Sequence, residues 1–173
     1  MKPLKNVFWL VLVFALIGCE KNEDDPIKKL DVETYIDQLK SSRYDSLNLP
    51  AFSMADIPAL LEYRNDTQTI ANFPNNPLSS MHMTECKLGM YALWTIESIR
   101  AVSVDGEYLI RRFPSLNPVL ALRDANELEV VFDDESHSIA AQAYYDWWWD
   151  DSHHDFDDFK YIDPLGGTNY KWH

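Results

Sequence analysis

Basic residues are scarce: 15 Lys and Arg stand against 28 Asp and Glu, a formal net charge of −13 in 173 residues. Nucleic acids and anionic head groups are held by clusters of Lys and Arg that displace counterions, so the balance excludes both as partners. Glycine is sparse as well, five in all, and the glycine-built motifs are missing. There is no G-x-S-x-G, no G-x-x-x-x-G-K-[ST] and no G-x-G-x-x-G, nor is there the H-E-x-x-H of zinc proteases. Gly166-Gly167-Thr168 lacks the lysine and following helix of a phosphate loop and reads as a turn. Cysteine occurs only at Cys19 and Cys86. One apolar run stands out, Val7 to Ile17, about half of the ~20 residues a spanning helix needs.

That run is the middle of a tripartite export signal over residues 1–18, with Lys2 and Lys5 before it and small Gly18 after it. Leu16-Ile17-Gly18-Cys19 resembles the lipobox of bacterial lipoprotein precursors. The alternative is an ordinary cleaved signal beside an unrelated cysteine. The resemblance implies a diacylglyceryl group on the Cys19 sulfur and Cys19 as the first mature residue. At ~0.8 kcal/mol per buried methylene, two acyl chains hold a protein on a bilayer almost permanently. The acidic run Glu20-Lys21-Asn22-Glu23-Asp24-Asp25-Pro26 resembles the surface-export signal of Bacteroidota lipoproteins. It implies a lipid-anchored, surface-exposed place on the outer membrane. As a plain solvated tether the same run leaves the domain facing the periplasm.

Three parts follow: residues 1–18 the signal, 19–30 an acidic flexible tether, and 31–173 one globular domain of ordinary size. The removed signal holds two lysines and no acid, so the mature charge deepens from −13 to −15. With Cys19 lipidated, Cys86 has no disulfide partner and reads as a buried, inert thiol.

Periodicity within the domain is mostly helical. Asp31 caps a helix whose Val32, Tyr35, Ile36 and Leu39 share one face. Ser53 and Asp56 form a start signal of capping-box type ahead of a helix over Pro58–Tyr63. Arg64 to Ser80 reads as an ordered loop. Glu85 to Val102 is the central helix, apolar around most of its circumference and therefore buried on more than one side, with Glu97 and Arg100 as an i, i+3 ion pair. Tyr108–Arg112 fits a short strand or a helix. Leu128–Phe132 passes for a strand but is short and runs into the acidic helix start Asp133-Asp134-Glu135, which opens a helix to Trp149. Ser152 and Asp155 open a last short helix with Phe156 and Phe159 inward, and the aromatic tail Tyr170–His173 docks on the domain. Phe73-Pro74-Asn75-Asn76-Pro77 and Phe113-Pro114-Ser115-Leu116-Asn117-Pro118 echo one another forty residues apart, within the period of helical-pair repeats such as HEAT units. The expected fold is mainly α, four to five helices, with HEAT-like pairs as the candidate arrangement and at most a minor β-hairpin.

Candidate chemistry concentrates in one place. Within Tyr144-Tyr145-Asp146-Trp147-Trp148-Trp149, residues 100° apart cannot share a face. With Ile139, Ala140, Ala143 and Tyr144 inward, Trp147 and Trp148 join them while Tyr145 and Trp149 point away. Such a pair either packs under the next loop or the tail, or stays exposed as a platform for a sugar ring or protein partner. Next come Asp150, Asp151, His153, His154, Asp155, Asp157 and Asp158. On a helix His153 meets Asp157 and His154 meets Asp158, pairs able to ligate a divalent metal. Without further ligands, for which His137 and His173 are the remote candidates, they read as a solvated acidic helix start. The alternation fails as an EF-hand, having Phe156 at the sixth position and Ile162 at the twelfth. His82 and Cys86, four apart, lack the separate elements that build an oxyanion hole.

The segments Asp56–Tyr63, Leu93–Arg100, Ala141–Trp148 and Tyr170-Lys171-Trp172-His173 together resemble a family of gut Bacteroides lipoproteins assigned to a domain of unknown function. The family brings no activity and no cofactor, so only the Cys19 anchor carries over. Three functions remain open. The first is a non-enzymatic binding or accessory module for a protein or glycan at Tyr145 and Trp149. The second is a metal-assisted hydrolase at His153–Asp158, and the third a structural envelope lipoprotein.

Overall fold

The computed structural model describes residues 30–173. The expected export signal, the expected lipidation site Cys19 and the expected acidic tether up to residue 29 lie outside the described residues. Helix α1 (Val32–Lys40) starts where Asp31 accepts the Thr34 N–H at 2.7 Å, and it buries Val32, Tyr35, Ile36 and Leu39. The Asp56 carboxylate accepts from the Ser53 N–H at 2.8 Å and its hydroxyl at 3.0 Å, closing a 3-10 turn that leads into α2 (Ile57–Leu61) with Pro58 in its first turn. Helix α3 (Leu88–Asp105) has every residue from Leu88 to Ile99 buried, and it packs on α2 and on α4 (Asp134–Trp149). The four-residue α5 (Phe156–Phe159) turns Phe156 and Phe159 inward.

The chain is not the mainly α domain its periodicity implied. Five short strands form two antiparallel sheets among the described residues, which makes the fold α+β. β1 (Thr69–Ala71) pairs with β2 (Glu85–Lys87), and β3 (Leu120–Leu122) lies between β4 (Val130–Val131) and β5 (Tyr170–Trp172). Each strand has two or three residues, too few to show a period of two. Glu85–Lys87, expected as the first turn of the central helix, is a strand instead. The tail docks as β5, Trp172 opposite Leu120, and the His173 N–H continues the ladder to the Val119 carbonyl at 3.0 Å. Of the two states open for Tyr108–Arg112 the strand is absent: two 3-10 helices, Gly106–Tyr108 and Ile110–Arg112, meet there, with Arg111 and Arg112 at positive φ. No helix among the described residues is long and apolar enough to cross a membrane.

The two Phe-Pro segments are not HEAT-like pairs either, since one leads into β2 and the other into β3. They pack against each other across α3. An aromatic ladder joins Phe73 to Tyr91 (4.9 Å), Tyr91 to Trp94 (5.6 Å) and Trp94 to Phe113 (5.2 Å). Buried Asn76 donates to the Ser115 carbonyl at 2.9 Å, and the amide of buried Asn117 lies 2.8 Å from the Ser79 hydroxyl. Each asparagine precedes a proline, and their amides satisfy polar groups across the contact, Asn76 in the other segment and Asn117 at Ser79 just past it.

Helix α3 begins without a side-chain cap. Its first N–H groups, which no helix can satisfy internally, go to the loop before β1: Leu88 to Gln68 and Gly89 to Asp66, both at 2.8 Å. The approach is close enough that a Cβ on Gly89 would lie 2.6 Å from the Arg64 carbonyl oxygen and 2.6 Å from His137 Nε2. Gly89→Ala therefore costs stability by about 1–3 kcal/mol through overpacking, despite alanine's better helix propensity. Urea denaturation of the variant checks this; a stabilised Gly89→Ala protein contradicts the packing.

Candidate functional site

Helix α4 divides the aromatic run. Asp133 caps it by accepting the Ser136 N–H at 2.7 Å, and His137, Ala140, Ala141, Tyr144 and Trp147 are buried. Trp148 is half-buried, whereas Ile139, expected inward, is 37 % exposed at the helix's outer edge. Tyr145 and Trp149, one turn apart, stay at the surface, 37 % and 55 % exposed with ring centroids 6.4 Å apart. The Arg64 guanidinium lies 4.4 Å from the Tyr145 ring centroid, a cation–π contact that fixes this ring. Trp149 has no such clamp among the described residues, and the Trp148 ring stands beside it at 83°.

Trp148 and Trp149 form one wall of an open groove of about 500 Å³; Met54, Ala55 and Pro58 form the other, and the 150–154 turn runs along its edge. The residues opposite Trp149 gave no sequence signal beyond a helix start, because their place is set by α2 packing on α4. A second opening, between α4 and the 162–168 turn, is walled by Ile139, Trp147 and Pro164. The Trp147 indole N–H has no acceptor among the described residues, and it is sealed off from solvent.

The acidic and histidine-rich turn is not helical where the metal pairs required it. Helix α5 starts only at Phe156, so His153 and His154 lie on the irregular segment before it. His153 caps α4: its Nδ1–H donates to the Trp147 carbonyl at 2.8 Å and its ring stacks on Phe159 at 4.3 Å. Asp157 pairs with Lys160 at 2.7 Å, and Asp155 caps α5. Asp150 accepts from Ser152. Asp151, His154 and Asp158 are exposed. The two remote histidines are engaged elsewhere, His137 with the Arg64 carbonyl (2.8 Å) and His173 with Asn117 (2.9 Å). No group of three or more His, Cys, Asp or Glu among the described residues could hold a metal ion.

Cys86 lines a separate apolar cavity of about 60 Å³ with Met83, Met90, Val119, Val131 and His137. Burial pushes its thiol far above the usual range, so no thiolate forms there at neutral pH. His82 is exposed and borders a different groove, beside Tyr44 and Pro77.

Burial, more than the neighbouring Lys87 charge, lowers the His137 pKa against the pull of the Arg64 carbonyl, Asp134 and Asp66. The ring is neutral in the fold. As pH falls below about 6.5, the unfolded chain takes up a proton the folded chain refuses, so stability drops toward acid and is fully retained above that pH. Acidification also relieves the negative net charge, so the informative quantity is a difference. Between pH 7.5 and 5.5 the urea midpoint of wild type should fall relative to that of His137→Gln. Parallel profiles would remove His137 as the cause.

Residues 26–173 match the domain of unknown function DUF4943, and the chain belongs to that family. No curated protein and no solved structure matches the chain.

Proposed function

We propose that the protein is a non-enzymatic binding or accessory module, anchored by lipid at Cys19 to the outer membrane and displayed at the cell surface. Membership of a domain family of unknown function is compatible with this reading and names no activity. The observation that supports binding is Trp149: a large aromatic ring, 55 % exposed at the end of α4, forming one wall of an open groove. A ring of that size left in water has apolar area to gain from a partner. The anchor and the address rest on Leu16-Ile17-Gly18-Cys19 and the acidic run behind it. The partner is a protein or a glycan.

Affinity capture from outer-membrane extract, wild type against Trp149→Ala, tests the binding. Recovery of one partner by wild type alone supports it, and equal recovery sinks the role of Trp149. Cys19→Ser should release the protein from the membrane fraction. Protease added to intact cells should remove the domain; full protection would place it on the periplasmic face.

A further inference from the structure

We propose that the Trp149 groove binds a neutral glycan, one pyranose ring stacking on the exposed indole and its hydroxyls reaching Asp151 and His154. The inference rests on the binding reading above and gives it a ligand class. An indole face attracts the polarised C–H bonds of a sugar ring, and the upright Trp148 ring beside it, at 83°, limits how that ring can turn. A sugar also needs polar groups that have not been spent within the fold.

The turn looks like a cation trap in sequence, but most of its carboxylates already have work. Asp150 is held by Ser152, Asp155 caps α5 and Asp157 pairs with Lys160. Asp151 and His154 border the groove, stand exposed and make no hydrogen bond among the described residues. One acceptor carboxylate and one imidazole suit neutral hydroxyls better than the several positive charges of a basic peptide. An anionic glycan meets the opposing field of a chain with net charge −13 and of Asp150 and Asp151 at the rim.

Affinity gel electrophoresis of the purified full-length protein tests the proposal, using gels cast with mannan, xylan, β-glucan or arabinogalactan, and with polygalacturonate as the anionic comparison. Wild type should be retarded by at least one neutral polysaccharide. Trp149→Ala should lose at least tenfold in affinity while its melting temperature stays unchanged, and Asp151→Asn should lose less. Trp149→Phe should keep part of the binding. Retardation by none of the neutral polysaccharides, or only by polygalacturonate, overturns the proposal. Capture of a protein partner that Trp149→Ala abolishes, with no retardation by a neutral polysaccharide, overturns the glycan and leaves the binding module standing. Retardation by a neutral polysaccharide that Trp149→Ala does not change removes this groove as the site.

Discussion

Glu97→Ala should destabilise the domain by roughly 3–5 kcal/mol, the range for breaking a buried ion pair from one side. Glu97 sits on α3 with 9 % of its side chain exposed and takes two bonds from Arg100, at 3.0 Å to Nε and 2.5 Å to Nη2. Tyr144 of α4 donates its hydroxyl to the same carboxylate at 2.6 Å, and Trp172 of β5 donates its indole N–H to the Tyr144 oxygen at 2.8 Å. Arg100 reaches on to the Lys160 carbonyl at 3.0 Å. One carboxylate thus joins the central helix, α4 and the C-terminal strand. Burial would lower the Arg100 pKa, yet the bonds and charge of Glu97 win and raise it; burial and the same negative charge push the Tyr144 hydroxyl well above its ordinary value. Truncation leaves a guanidinium with 16 % exposure and no carboxylate, and a buried hydroxyl with no acceptor. Urea denaturation measures the loss. Combining Glu97→Leu with Arg100→Leu should recover part of it, because removing both partners leaves no orphaned charge. A loss under about 1 kcal/mol, the range of surface pairs, would show that the network is solvated.

Trp94→Ala should cost about 3–5 kcal/mol by a different route, cavity formation in a packed core. Trp94 is fully buried on α3 between Tyr91 and Phe113, and its Nε1–H donates to the Ser115 hydroxyl at 2.8 Å. The truncation removes the ring that links the two Phe-Pro segments and leaves Ser115 without its donor. Trp94→Phe keeps an aromatic ring and loses only the polar contact and part of the volume, so its cost should be clearly smaller. Equal costs for the two variants would mean that the ladder is not what holds the segments together.

Local signals were legible in the sequence wherever their cause is local. Asp31, Asp133 and Asp155 each accept an N–H within the next three residues, so each helix start was readable. The Glu97–Arg100 pair was readable for the same reason, as one turn of helix brings the two together. The exposure of Tyr145 and Trp149 followed in part from helical geometry, but whether a loop would cover them was a tertiary matter. The strands were hidden because their partners are remote: Leu120 pairs with Val131 and also with Trp172. The start of α3 was misplaced because its cap is the Asp66–Gln68 backbone and not a residue of its own.

The sequence by itself determined the acidity of the chain, the starts of α1, α4 and α5 and the buried face of α1, because composition and neighbours within one turn decide them. Tertiary structure alone decided that the fold is α+β, that the two Phe-Pro segments clasp one another, and that His137, His153 and His173 are held by separate carbonyl and amide partners. It also decided that Met54 and Pro58 stand opposite Trp149. Each of these depends on contacts between residues far apart in the chain, whose energies come from burial and pairing that no local window contains.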